Sequence, residues 1–444
     1  MRAYAVAAIA LSIGTACGKE AADAPMDAAS REPTKVVDAA SDSAIDAALP
    51  IPASCAGMLQ PPTSLAWTGL YSDVAAGTLA RAVRSYAPAV PLWADGSTKE
   101  RWIYLPPGGK IDAADSSEWV FPVGTRVWKQ FSRAGHRVET RFFEKTLANY
   151  WAYGTYQWSA DEMSATLAPG GDITLSNGEI YQIPTIDECQ DCHEGRTDRL
   201  LGFEQVSLGL SGATGLTLDE LAKEDLLSPV PSSTHLEVGD DGTHHAAAPL
   251  TWLHINCGVT CHNTNAGSLA YALGMNLRLD ASQLDGRSAS AFPSIATTES
   301  QAAESPSFPG ATRIVPGYPH SSLLYQLIDE RESMGASIQM PPIASQLIDT
   351  ADVAAVEAWI AAMPPVAHPM DAGSDASADS GKDAAADAGR DAVADVEGEA
   401  GDRGDANPDV AGAGDAGMKD AQSTDASANG DAQDAAGQDA GDAP

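Results

Sequence analysis

From His368 to Pro444 the chain repeats Asp-Ala and Asp-Ala-Gly units, and no hydrophobic core can be assembled from such a sequence. Alanine buries too little area to offset the conformational entropy of ordering an acidic chain. From Asp371 onward there are 19 acidic and 4 basic side chains, a net −15 out of the −35 carried by all 444 residues. The tail, 366–444, therefore reads as a disordered, self-repelling spacer. Its charge excludes nucleic acid as a partner, because the phosphate backbone would be repelled. Residues 18–50 form a second disordered linker, rich in Ala, Asp and Ser and without apolar periodicity. The foldable body is thereby confined to about Ile51–Met363.

The first residues read as an export signal. Met1-Arg2 is a short basic start, and Ala3–Ile13 is an apolar run too short to anchor in a bilayer. Gly14-Thr15-Ala16 then precede Cys17, which resembles the lipobox of bacterial lipoproteins, with Gly14 where that pattern prefers Leu. The expectation is a lipoprotein-type signal over 1–17 and lipidation at Cys17. It places the protein in the periplasm or on the outer membrane, touching the membrane through its lipid alone. The alternative is plain secretion, with Cys17 in or near a discarded signal.

Within the body, 51–180 carries strand signals. Trp119–Phe131, Arg137–Phe143 and Tyr150–Trp158 are short, aromatic and β-branched, and Arg133-Ala134-Gly135 marks a turn between the first two. Val138, Thr140 and Phe142 alternate with Arg137, Glu139 and Arg141, which predicts one buried and one wet face. Seven of the nine tryptophans fall between Trp67 and Trp158, favouring an aromatic-cored antiparallel sheet or sandwich over an aromatic binding cage. Helical spacing appears later. His320–Glu332 places Leu323, Leu324, Leu327 and Ile328 on one side. Asp349–Met363 opens on a candidate N-cap, carries Val353, Val356, Trp359 and Ile360 at helical spacing, and ends at Pro364-Pro365.

The cysteines narrow the chemistry. Six would suggest disulfides in an exported chain, but four sit in two tight pairs, each followed by His. Cys55 is left over and reads as a free or buried thiol. In Cys189-Gln190-Asp191-Cys192-His193 the thiols are spaced to add across the two vinyl groups of one haem, with His193 as proximal iron ligand. Covalent attachment keeps the cofactor on an exported protein. A zinc site would want a further Cys or His pair, and a redox dithiol a thioredoxin-like context. For the sixth position His235, His244, His245, His254 and Met163 are available, His254 foremost, and an open position stands beside them.

The second pair, Cys257-Gly258-Val259-Thr260-Cys261-His262, has one residue more than the usual spacing. A longer loop can still present both sulfurs, so haem attachment is expected here too, against a disulfide or a lapsed site. Met340-Pro341-Pro342 holds a thioether in an extended segment. His262 with Met340 would give a six-coordinate haem of raised potential; Met334 and Met275 are weaker candidates, and core packing is the bland role for Met340.

Several stretches together resemble a family of exported bacterial proteins in which a β-rich segment precedes two cytochrome c-type haem motifs. They are Thr68–Asp73, Pro91–Gly96, Lys99–Trp102, Leu105–Gly108, Trp119–Thr125 and Glu139–Arg141, then the first motif, Asn256-Cys257, Val315–Gly317 and Met340–Pro342. The resemblance runs from about Pro62 to Met363. It implies haem binding and electron carriage without naming a substrate. The widened second motif departs from the family spacing.

The fold expected is α+β. A β-rich, aromatic-cored domain (51–180) is followed by a first haem-motif segment (181–245) and a mostly α-helical, cytochrome c-like region (246–365). The function expected is electron transfer by one or two covalent haem c groups, with an unidentified redox protein as partner and no catalytic residues of its own. Two alternatives stand: a di-haem oxidoreductase resembling cytochrome c peroxidase, and a β-domain that binds a carbohydrate or protein with haem as an accessory.

Overall fold

The strands form where β-branched and aromatic residues alternate between turn residues, and the chain reverses where positive φ is tolerated. The structure is a computed structural model and describes residues 59–365 except 285, 332–338 and 344. Cys17, Cys55, Met334 and the two segments expected to be disordered lie outside the described residues.

In chain order the strands are β1 (Tyr71–Asp73), β2 (Thr78–Leu79), β3 (Arg84–Ala87), β4 (Thr98–Tyr104), β5 (Ile111–Asp112), β6 (Arg126–Arg133) and β7 (His136–Leu147). They continue with β8 (Tyr150–Trp158), β9 (Ala165–Ala168), β10 (Gly171–Thr174), β11 (Ile180–Ile183), β12 (Thr214–Gly215) and β13 (Leu227–Ser228). Seven of them make one antiparallel sheet in the order β12-β3-β4-β6-β7-β8-β9. β6 and β7 are joined by Ala134 and Gly135 alone, at φ 49° and 83°, the left-handed pair that a tight hairpin requires.

The strand expected from Trp119 starts only at Arg126. Pro122 has no amide to donate to a ladder, and Gly124 turns the chain at φ 95°. Val120 makes only an isolated bridge to Asp112.

Both faces of this sheet are covered, which corrects the expectation of a wet face on β7. Trp102, Trp128, Phe142, Tyr156 and Trp158 make an aromatic core on one face with Leu65, Leu70 and Tyr71. Ile103, Val127, Phe143 and Trp151 lie on the other, under Leu200, Phe203, Leu208, Leu218 and Leu221. Glu139, read as solvent-facing, is 0% exposed. The tryptophans that the aromatic pattern assigns to a core are largely there, with Trp102, Trp119, Trp128, Trp151 and Trp158 buried.

Helices α1 (Ile186–His193), α2 (Gln205–Gly209), α3 (Leu218–Lys223), α4 (Ala247–Leu253), α5 (Pro293–Ala296), α6 (Leu323–Ile328) and α7 (Thr350–Ala362) follow the sheet. The segment after α1 is built into the β-rich part: β12 pairs with β3, and α2 and α3 supply its apolar cover. A separate core gathers Leu250 and Trp252 of α4, Leu324 and Ile328 of α6, and Val353, Val356, Trp359 and Ile360 of α7. The second half is less helical than the expected mostly α-helical region. α6 is confined to Leu323–Ile328, and irregular chain separates the helices. Asp349 precedes α7 without a side-chain cap; its carboxylate accepts from Trp252 Nε1 at 3.1 Å instead. The described residues fall within one compact unit.

Candidate functional site

α1 starts where Thr185 and Glu188 form a reciprocal capping box, so its first amides are satisfied locally. The helix carries Cys189, Cys192 and His193 at i, i+3 and i+4, which puts all three on one side. His193 Nδ1 hydrogen-bonds the carbonyl of Arg199, and the ring stacks on Phe143 at 4.5 Å between centroids. Arg199 is held in the left-handed region at φ 62°, a conformation that persists because its neighbour is pinned. Asp198 takes hydrogen bonds from Lys145 Nζ at 2.6 Å, Trp151 Nε1 at 2.8 Å and the Phe121 amide at 2.6 Å. The sheet thus fixes the carbonyl that fixes the imidazole, leaving Nε2 free. Burial, and after it the Lys129 ammonium, drives His193 down to about 3, so the ring is neutral.

The second motif begins where α4 gives way to a π turn, His254–Gly258. Val259 N donates to the His254 carbonyl at 2.7 Å and His262 N to the Cys257 carbonyl at 2.8 Å, both five residues back. A π turn is one residue longer than an α turn. The Cys257 carbonyl accepts from Cys261 N at 3.0 Å as well, so the widened motif closes on its first cysteine through both its second cysteine and its histidine. The residue that widens the motif is taken up in the backbone. Gly258 permits this, since a Cβ there would sit 2.5 Å from the Leu277 carbonyl carbon. Neither ring nitrogen of His262 has a hydrogen bond among the described residues, and Nδ1 is fully buried. Burial, with Arg313 adding to it, lowers His262 to about 4.

The two motifs meet. A Cβ on Gly195, two residues after the first motif, would lie 1.8 Å from the carbonyl oxygen of Thr260 in the second. Asn265 Nδ2 also donates to the Gly195 carbonyl at 3.2 Å. Cys189, Cys192 and His193 line the same cavity as Cys257, Cys261 and His262, together with Met340. This cavity encloses about 2090 Å³ of space free of protein atoms, including its open mouth. A second, largely apolar cavity of about 700 Å³ is lined by Cys257, His262, Met275 and Met340 with leucines of α6. Its Met340 is tied in place by a hydrogen bond from its backbone amide to the Leu327 carbonyl at 2.8 Å.

Other candidates are placed elsewhere. His254 is buried with both ring nitrogens engaged: Nδ1 accepts from Leu279 N at 2.9 Å, and Nε2 faces Glu204 at 3.4 Å. It has no lone pair to offer a metal, which corrects its standing as the foremost sixth ligand. His235, His244, His245 and Met163 are exposed and line neither cavity.

The donor set fits covalent haem better than the rival groups. All four cysteines are free thiols. Burial raises Cys192 and Cys257 to about 12, with neighbouring thiols adding, whereas a redox dithiol needs its pKa lowered. Among the described residues no three His, Cys, Asp or Glu side chains converge as a metal-ion set. His193, half-buried, has the outer-nitrogen partner that a metal-ligating imidazole usually keeps, whereas buried His262 has none among the described residues.

Reasoning from sequence missed the latch over the cavity. Trp93 N donates to Asn256 Oδ1 at 2.7 Å, and Asp95 accepts from the amides of Gln346 and Leu347. It also missed the cations on the cavity floor, although the Arg/Glu alternation of β7 was the signal. No helix among the described residues is long and apolar enough to cross a membrane. No family model, curated protein or solved structure matches this chain.

Proposed function

We propose that the chain is an exported c-type cytochrome that carries electrons through two covalently attached haems. One observation carries the reading: two Cys-Cys-His motifs from distant segments open into one cavity, each with a neutral imidazole, half-buried at His193 and buried at His262. The resemblance of Pro62–Met363 to exported proteins with paired haem motifs supports it. Haem, when bound, supplies a one-electron ferric–ferrous couple.

In this reading Cys189 and Cys192 would hold the first haem and Cys257 and Cys261 the second, while His193 and His262 would each offer an imidazole to the iron. The Arg199 carbonyl sets the tautomer of His193 and raises its basicity. Met340, which lines both cavities, would supply a thioether to the iron of the second haem. Its thioether and the apolar lining favour the reduced state. The helices gathered around Cys257 are the cytochrome c-like part. Contact between the motif backbones would let electrons pass between the two groups when both are bound. Cys17 carries the lipid, and a periplasmic or outer-membrane redox protein is the partner.

A di-haem oxidoreductase of the cytochrome c peroxidase kind is the second reading. The engagement of both His254 nitrogens favours it, because His254 would then supply no further ligand to a haem at the first motif. Expression with cytochrome c maturation genes, followed by a pyridine haemochrome count and intact mass, tests the proposal. Two haem additions are expected, and a colourless chain of bare processed mass removes it. A high-spin ferric component with peroxide turnover would select the enzyme.

A further inference from the structure

Strands β4, β6 and β7 set three cations abreast. Arg101 is directly opposite Lys129, and Lys129 directly opposite Arg141. Like charges in such cross-strand pairs repel, and a buried charge without a counter-charge is costly. Nothing in the sheet requires the row. On either side of it the same face carries Ile103, Val127 and Phe143, and then Lys99, Phe131 and Glu139.

The charges nearby do not cancel. Arg141 pairs with Glu139, and Arg133 with Glu179. Asp95 is taken by the amides of Gln346 and Leu347, and Glu188 by the cap of α1. That leaves Lys99, Arg101 and Lys129 lining the cavity with no ion pair among the described residues. Among the described residues Lys99 donates to the carbonyls of Leu92 and Trp93 and lies over the Phe131 ring, and Lys129 donates to the carbonyl of Leu201. Arg101, 6% exposed, has no ion pair or hydrogen bond among the described residues. Burial and the flanking guanidinium groups lower Lys129 to about 7, and burial lowers Arg101, the mark of cations short of an anion. The whole chain carries −35, so this excess of positive charge on one cavity wall is local and opposite to the protein's balance.

We infer that Lys99, Arg101 and Lys129 form an anion subsite that receives carboxylate groups, those being the propionates of the porphyrin attached at Cys189 and Cys192. The inference rests on the proposed haem at the first motif. A planar guanidinium and two ammonium groups on a rigid sheet offer several donors to two carboxylates at one porphyrin edge.

The test uses holoprotein matured with haem carrying ¹³C at the propionate carboxyls, in wild type, Arg101→Gln and Lys129→Gln. Redox-difference infrared spectra should show the labelled carboxylate bands moved in both variants. Unmoved bands, with a wild-type midpoint potential that shifts on adding inorganic phosphate and a variant potential that does not, would still support the subsite but make its anion a free one. Unmoved bands with no phosphate dependence overturn it. Intact mass, read first, reports the haem at Cys189 and Cys192 independently. If that haem is absent, calorimetric titration of the chain with inorganic phosphate decides the subsite alone. Binding lost in Arg101→Gln supports it, and no binding in wild type overturns it.

Discussion

The backbone amide of His262 donates to the carbonyl of Cys257 at 2.8 Å, closing a turn of six residues around a motif that is one residue too long. The bond would keep the widened pair in the helical phase of a standard one. Deleting Thr260, to leave Cys-Gly-Val-Cys-His, should let an α turn replace the π turn. Intact mass should then still show two haem additions. Loss of the second addition alone would mean that the π turn does not preserve the phase.

Contact between the motifs makes a separate prediction at Gly195. A methyl group there meets the Thr260 carbonyl oxygen, a backbone atom that cannot rotate away. Gly195→Ala should destabilise the fold by about 3 kcal/mol, in the range of severe overpacking, with a clear drop in thermal midpoint. An unchanged midpoint would remove the close approach of the two motifs.

Lys145 and Asp198 form a buried pair at 2.6 Å behind the first motif. Lys145→Met leaves the Asp198 carboxylate buried without its counter-charge, which costs about 3–5 kcal/mol. Because the pair holds the loop that presents the Arg199 carbonyl, the variant should also alter the spectrum of the haem at His193. Denaturant unfolding and electron paramagnetic resonance check the two halves.

Acidification should destabilise the fold through Glu204 and His254. Burial raises the Glu204 carboxyl, but hydrogen bonding and attraction from His254 outweigh it and hold it at about 2. The unfolded chain therefore binds this proton first, and stability present above about pH 4.5 is lost as pH falls toward 2. That loss amounts to about 3 kcal/mol over the window. Burial lowers His254, so its contribution has the same sign and is lost as pH falls below 6.5. Thermal midpoints between pH 7 and 3 should fall less steeply in Glu204→Gln than in wild type; parallel curves would refute the assignment.

Met340 and Met275 both line the second cavity, and His262 lies with them. Met340→Ala should abolish the weak far-red band of ferric Met–haem coordination and lower the midpoint potential, whereas Met275→Ala should keep both. The reverse pattern would hand the ligand role to Met275.

What the amino-acid order determined alone is whatever is local. The Cys-Cys-His runs, the Ala134-Gly135 turn, the period of α7 and the inability of the Asp/Ala/Gly tail to build a core each follow from residues a few positions apart. The aromatic sheet was legible for the same reason, although Pro122 and Gly124 shortened one of its strands. Only the tertiary structure decided the rest. Residues 68 positions apart, Cys189 and Cys257, share one cavity because sheet, loop and helix close on each other. A face that alternation marked as wet became the charged floor of that cavity once the second half covered it. His254 left the candidate ligands when Glu204 and the Leu279 amide took both its nitrogens. Periodicity reports which side of an element differs from the other; what that side faces is set by packing between segments far apart in the chain.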